Sequence, residues 1–297
     1  MLGEFEHPLR LVVGVATVGR PELVRAAVDH LRRQTRAPDL VLVAACDPTD
    51  VTDVAGERVA CIFAPRGLTK QRNAILREGS YFDVIVFFDD DFLPLPTYLE
   101  RLEEVFVAYP DVAMVTGHVI ADGIVGPGFD IQEAYRYLEA DGGSGPEGET
   151  LVDVYNGYGC NMAVRMRAVH EGDVVFEVRL PLYGWLEDVD FSRRIGRCGR
   201  IVRSRAVRGV HMGVKSGRQP GVRLGYSQIA NPVYLVRKGT CACSRAIWQM
   251  GRNIAMNLIF SIRPEPYVDR WGRLRGNIKA IKDLARGQLQ PEQILAM

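Results

Sequence analysis

The chain has 297 residues, 47% apolar and 25% charged, enough for one large domain or two small ones with an ample core. A formal net charge of +1 argues against a bulk nucleic-acid binder. No segment approaches the ~20 apolar residues of a membrane span, Met1–His7 has no signal-peptide run, and the six cysteines lack zinc spacing. A cytoplasmic location is therefore expected.

Leu9 to Thr17 reads as a strand, and Gly19-Arg20-Pro21-Glu22 then opens a helix with one apolar stripe from Leu23 to Leu31. Leu40 to Ala45 and Val59 to Phe63 are further strands, the first ending in the acidic turn Cys46-Asp47-Pro48-Thr49-Asp50. Arg66 to Asn73 leads into a second helix. Val84 to Phe88 is an apolar run suited to a strand buried on both faces, followed at once by Asp89-Asp90-Asp91. Phe92-Leu93-Pro94-Leu95-Pro96 is then expected to block regular structure. A helix from Leu99 to Tyr109 and a strand from Asp111 to Ile120 continue the alternation, which is that of βαβ units in a parallel sheet. Asp141 to Gly148 reads as a mobile loop. From about Ser244 the pattern is helical.

The acids carry the chemistry. A strand that delivers three carboxylates to the carboxyl edge of a sheet places them where ligands of open α/β folds bind. Packed like charges repel, so a divalent cation holding a diphosphate is one account, and a solvated acidic turn is the other. Glu187-Asp188-Val189-Asp190 is a second acidic knot at a helix start, where the dipole alone favours acids. Trp185 is either core or a sugar platform. His211, after the strand-like Val207–Val210, is either structural or a metal ligand.

Taken in order, Thr17 to Pro21, the turn near Asp47, Arg72-Asn73, Asp89-Asp90-Asp91, the Gly-rich Asn156 to Asn161, Glu187 to Asp190 and His211 resemble the motifs of family 2 glycosyltransferases. The resemblance runs from about Leu9 to Lys238. It implies the GT-A fold, a Rossmann-like and mostly parallel sheet flanked by helices, and inverting transfer from a nucleoside-diphosphate sugar, with UDP the favoured base. It further implies that Ala16, Thr17, Val18 and Gly19 border base and ribose, that Asp47 accepts a base N–H, and that Arg72 lies near the nucleotide. Asp89 would face the ribose and the metal, Asp90 would be the permissive middle position beside the donor, and Asp91 would ligate Mg²⁺ or Mn²⁺ together with His211. Asp188 would be the general base, with Asn161, Trp185 and Glu187 on the acceptor side.

The second half is basic: Phe191 to Pro264 holds fifteen Lys or Arg and no acid. Lys215 and Arg218, in a loop-like stretch, are expected to close over the donor diphosphate. Residues 1–240 are expected to form the transferase domain and 241–297 a helical extension. The extension mixes Ile, Leu and Trp with arginines, which suits docking at the inner face of a membrane, packing on the domain, or a homodimer. The acceptor is expected to be a glycan or a lipid-linked acceptor. Gly276 to Ile294 is similar to the tails of bacterial exopolysaccharide and capsule transferases, which implies polysaccharide biosynthesis. Without a run of membrane spans, one sugar per encounter is expected. A sugar nucleotidyltransferase or a non-catalytic sugar-binding scaffold are the alternatives. The former would want a Gly-rich phosphate loop after the first strand, and the lack of G-x-G-x-x-G there excludes a dinucleotide oxidoreductase.

Overall fold

A computed structural model describes residues 8–54, 56–142, 151–215 and 220–297. The chain divides into two compact units: Met1–Arg66, Lys70–Val175 and Arg194–Gly217 in the first, and Gly67–Thr69, Phe176–Arg193 and Arg218–Met297 in the second.

The first unit is built on one sheet, whose described strands are β1 (Leu11–Ala16), β2 (Leu40–Ala45), β3 (Val59–Phe63), β4 (Val84–Asp89), β5 (Phe92–Pro94), β6 (Val112–Asp122), β7 (Leu151–Asp153), β8 (Asn161–Arg165) and β9 (Arg200–His211). They lie in the order β3-β2-β1-β4-β8-β6-β9-β5, with β7 also against β9. β3, β2, β1 and β4 are parallel, as are β6 and β9, while β8, β5 and β7 pair antiparallel. The helices α1 (Pro21–Leu31), α2 (Leu68–Glu78), α3 (Tyr98–Ala108), α4 (Ile131–Asp141) and α5 (Met166–Glu171) connect these strands. β1 and β4 are apolar along their length because both faces are covered. Leu11, Val13 and Val15 join Val84, Val86 and Phe88 in the main core with Val24, Val28 and Leu31 of α1.

This order places a switch point between β1 and β4. The chain leaves β1 toward β2 and returns on β1's other side as β4, so the connections diverge and open a crevice at the carboxyl ends. Ala16 and Asp89 stand level there, paired in register. One expectation fails nearby. The prolines after Asp91 do not end regular structure, since Phe92–Pro94 is strand β5, antiparallel to β9. β5 ends the strand order, and an edge strand tolerates a residue without an N–H. Residues 143–148 of the loop expected at Asp141–Gly148 lie outside the described residues.

The second unit is helical: α6 (Glu187–Ile195), shared with the first, then α7 (Gly221–Lys238), α8 (Cys243–Phe260) and α9 (Arg270–Ala285), closed by a 3-10 turn, Pro291–Ala296. Helix α7 goes unannounced in the sequence, because Gly221, Gly225 and Pro232 all disfavour a helix interior. The glycines are there for packing. A Cβ on Gly225 would sit 2.0 Å from the Arg273 carbonyl oxygen, and one on Gly276 would sit 2.1 Å from that of Val222. The two backbones cross in contact, and the Asn277 amide donates to the Gly225 carbonyl at 2.6 Å to hold the crossing. Asn257 donates to Gln228 and to Asn277, which satisfies the buried amides between the three helices.

Gly276→Ala should therefore prise α7 from α9. Overpacking of this kind costs about 1–3 kcal/mol, and more where the obstacle is backbone. Chemical denaturation should show that loss, whereas Gly251→Ala, with nothing near its added Cβ, should be neutral or slightly stabilising.

Candidate active site

Two loops meet at the switch point, and buried acids pin both. The β1–α1 loop turns back at Gly19, whose φ of +66 is a conformation glycine adopts without strain. The Thr17 N–H donates to Ala44 at 3.0 Å, and its carbonyl accepts from Gln71 at 2.8 Å. The Thr17 hydroxyl donates to Asp90 at 2.8 Å, and the Gly19 N–H donates to Asp50 at 2.5 Å. Asp50 also accepts from the N–H groups of Cys46 and Asp47. Asp47 itself is exposed and caps the 3-10 turn Pro48–Val51, accepting from the Thr49 N–H and hydroxyl at 2.9 and 2.7 Å. Asp50, missed in the sequence, is the acid that locks the loop. The signal was present, because acids three apart around Pro48 make a capping box.

The three consecutive aspartates divide by burial. Asp89, at the end of β4, accepts from Arg72 at 2.9 Å. Arg72 is 1% exposed and also donates to the Gly159 carbonyl at 2.7 Å, so it braces the Asp89 carboxylate from inside. Asp90 is 0% exposed and ion-paired with Arg20 at 2.9 Å. Complete burial pushes its carboxyl up against the pull of Arg20, and neighbouring Asp91 adds to the push. Asp90, expected beside the donor, is enclosed by Thr17 and Arg20. It clamps Thr17 and Arg20 to the end of β4.

Asp91 points the other way. One oxygen accepts from the Val214 N–H at 2.8 Å, and the other lies 3.5 Å from His211 Nε2. His211 ends β9, in register with Asp122 at the end of β6. Its Nδ1 sits 2.8 Å from Asp122, which also accepts from the Tyr158 hydroxyl at 2.9 Å. With the Nδ1–H donating to Asp122, loss of the Nε2 proton would leave a lone pair on the Asp91 side of the ring. Burial opposes the charged ring, but hydrogen bonds to Asp122 and Asp91 outweigh it and lift the imidazole to about 10. One ligand atom from each of Asp89, Asp91 and His211 lies within 4.8 Å of the others. Two carboxylates and an imidazole backed by a further carboxylate are a fitting donor set for a divalent cation, and the nitrogen suits Mn²⁺ better than Ca²⁺.

The sequence model of Glycosyl transferase family 2 matches residues 12–172. The chain belongs to that family. No curated protein matches the sequence. Among solved structures, the transferase is similar to the mannosyltransferase PcManGT from Pyrobaculum calidifontis (TM-score 0.53, 14% identity, 98% of this chain and 86% of that one). It is also similar to S. aureus TarS 1-349 (TM-score 0.57, 13% identity, 97% and 83%) and to GalNAc-T7 (TM-score 0.56, 12% identity, 95% and 59%). These likenesses show the GT-A fold, an α/β sheet flanked by helices.

The remaining expected site residues of this glycosyltransferase lie as follows. Ala16 and Val18 are half-buried at the end of β1 and in its loop. Asn161 is wholly buried, accepting from Thr116 at 2.9 Å and donating to Gly117 at 3.3 Å. It ties β8 to β6. Lys215 donates to the carbonyls of Gly123 and Ile124, both at 2.9 Å, and so closes that turn. Arg218 lies outside the described residues.

In the second unit, the turn before α6 is strained. Leu182 and Leu186 have φ of 60 and 71, and Gly184 has φ of 64. α6 begins directly after it. Glu187 is buried, and Asp190 is fully buried, paired with Lys238 at 2.9 Å and accepting from Thr240 at 2.7 Å. Lys238 also meets Glu177 at 2.6 Å. Asp188 alone of the three acids in this knot is not buried. Trp185 is half-buried, and its carbonyl accepts from Asn231 at 2.7 Å.

The raised imidazole sets a pH dependence for the metal-free protein. A group whose folded pKa exceeds its unfolded value stabilises fully below the latter and loses that contribution as pH rises through the former. The His211 contribution should hold below pH 6.5 and vanish by about 10. Thermal unfolding with chelator present should fall over that window in the wild type, and less steeply in His211→Gln.

Proposed function

We propose that this protein is a metal-dependent inverting glycosyltransferase that moves a sugar from a nucleoside-diphosphate sugar to a hydroxyl of a glycan or lipid-linked acceptor. UDP is the favoured base, and the setting is polysaccharide biosynthesis with one sugar added per encounter. The observation that carries the reading is the clustering of Asp89, Asp91 and His211 at the sheet's switch point. Three solved relatives of the fold support it by what they hold: PcManGT with GDP-Man and Mn²⁺, TarS with UDP-GlcNAc, and GalNAc-T7 with UDP, GalNAc and Mn²⁺.

In this reading Asp89, Asp91 and His211 hold Mg²⁺ or Mn²⁺. Bound there, the cation would supply charge stabilisation for a diphosphate leaving group. Asp122 keeps the His211 ring in the ligating tautomer, and Arg72 holds the Asp89 carboxylate in place. The loop Ala16–Gly19, held by Asp50 and Asp90, borders the base and ribose. Asp188 takes the acceptor hydroxyl proton as the new C–O bond forms at the anomeric carbon, and the bond to the diphosphate breaks on the opposite face. Its exposure relative to Glu187 and Asp190 supports Asp188 as the base, and half-buried Trp185 suits the acceptor side.

Asp188→Asn should reduce transfer by about 10²–10⁴-fold, the range of a lost general base, while the dissociation constant for UDP-sugar with Mn²⁺ stays within a few-fold. Transfer at an undiminished rate would remove Asp188 from that role. Asp122→Asn should instead weaken Mn²⁺ by about 10–100-fold through the tilt and tautomer of His211, read by metal titration alone.

A further inference from the structure

The second unit leaves apolar side chains in solvent along two of its helices. On α8 and just beyond it, Ile247, Trp248, Leu258, Ile259 and Ile262 are exposed, from 56% for Leu258 to 88% for Ile262. Their spacing, with exposed Gly251 and Ala255 between them, returns every three or four residues, so they form one continuous stripe. Arg245 and Arg252, seven residues apart on α8, lie along one margin of that stripe, and Arg263 is exposed just beyond the helix. The Arg252 guanidinium lies 5.6 Å from the centre of the Trp248 ring. Helix α9 repeats the pattern, with Trp271, Ile278 and Ile281 exposed and Arg275, Lys279, Lys282 and Arg286 exposed beside them.

A soluble surface does not keep such a face uncovered without an occupant. Charge selects which one. Residues 245–286 hold nine Lys or Arg against three acids. All three acids are engaged within the unit: Glu265 pairs with Arg270 at 2.6 Å, Asp269 caps the Gly272 N–H, and Asp283 meets Lys279 and Tyr226 at 3.0 Å. A second copy of the chain, docked through the same face about a two-fold axis, would set this cationic margin against itself. An anionic lipid surface satisfies both halves. Its headgroups match the arginines and lysines, and its interfacial layer takes Trp, Ile and Leu to shallow depth. No described helix is long and apolar enough to cross a bilayer, so the contact is peripheral.

We propose that the exposed faces of α8 and α9 dock this transferase on an anionic membrane surface. The contact stands whether or not the sugar-transfer reading is right, and it is tested without turnover. The full chain is floated with phosphatidylcholine vesicles containing or lacking a third of phosphatidylglycerol. It should float with the anionic vesicles at low salt, stay behind with the neutral ones, and be released as salt screens the headgroups. Arg245→Gln, Arg252→Gln and Arg263→Gln together should weaken the partition by on the order of a hundredfold. Ile259→Ser with Ile262→Ser should weaken it even at low salt. Both sets lie on the exposed face, so circular dichroism and Mn²⁺ affinity should match the wild type. Failure to float with anionic vesicles at low salt overturns the proposal. So does a serine pair that turns a dimer into a monomer and floats as before, since the face then belongs to a second copy.

Discussion

Four carboxylates, Asp89, Asp90, Asp91 and Asp122, crowd the carboxyl end of the sheet in the first unit, and the local structure is arranged around compensating them. Each has a cation or a ring of donors assigned to it: Arg72 for Asp89, Arg20 for Asp90, His211 for Asp91 and Asp122. Removing one partner of such a buried pair is far more damaging than either residue's surface exposure suggests. The strand order brings the acids together, and the arginines make the gathering stable without metal. In the proposed function His211 would yield its proton as Asp89 and Asp91 take up a divalent ion.

The sequence made much of this legible. The β1 and β4 runs are apolar on both faces, and a parallel centre follows from that. The three aspartates stand out as a cluster at the end of an apolar strand, and the histidine more than a hundred residues on shares their end of the sheet. What stayed hidden depends on register. Asp122 matters because β6 and β9 are long neighbours whose ends coincide at Asp122 and His211. No local pattern shows that. Asp90 looked permissive because nothing in the sequence tells that a turn rotates the middle acid inward onto Thr17 and Arg20. Asn161, at the end of a Gly-rich stretch and expected on the acceptor side, begins an interior strand between two others.

Helix α7 escaped notice for a different reason. Propensity counts Gly and Pro against a helix, yet at Gly225 and Gly276 a missing side chain is what two crossing helices need. The amide of Asn277, rather than apolar bulk, then fills the contact. Local preference is overruled wherever backbones must touch.

The two acidic knots share a logic that burial exposes. In Asp89-Asp90-Asp91 the middle acid is sealed against Arg20, and in Glu187-Asp188-Val189-Asp190 the last is sealed against Lys238. A fully buried, paired carboxylate cannot take part in chemistry at the surface. It can fix the backbone on which its neighbours stand, since any shift would leave a charge unpaired in a dry interior. Asp91 and Asp188 owe their placement to Asp90 and Asp190 in that sense. The backbone strain at Leu182 and Leu186 is tolerable for the same reason. Such strain persists only where the surroundings over-determine the conformation, and the Lys238 clamp on Glu177 and Asp190 holds the chain on both sides of that turn. Clusters of acids in this chain are therefore best read as an anchor with a working group beside it, and exposure is what tells the two apart.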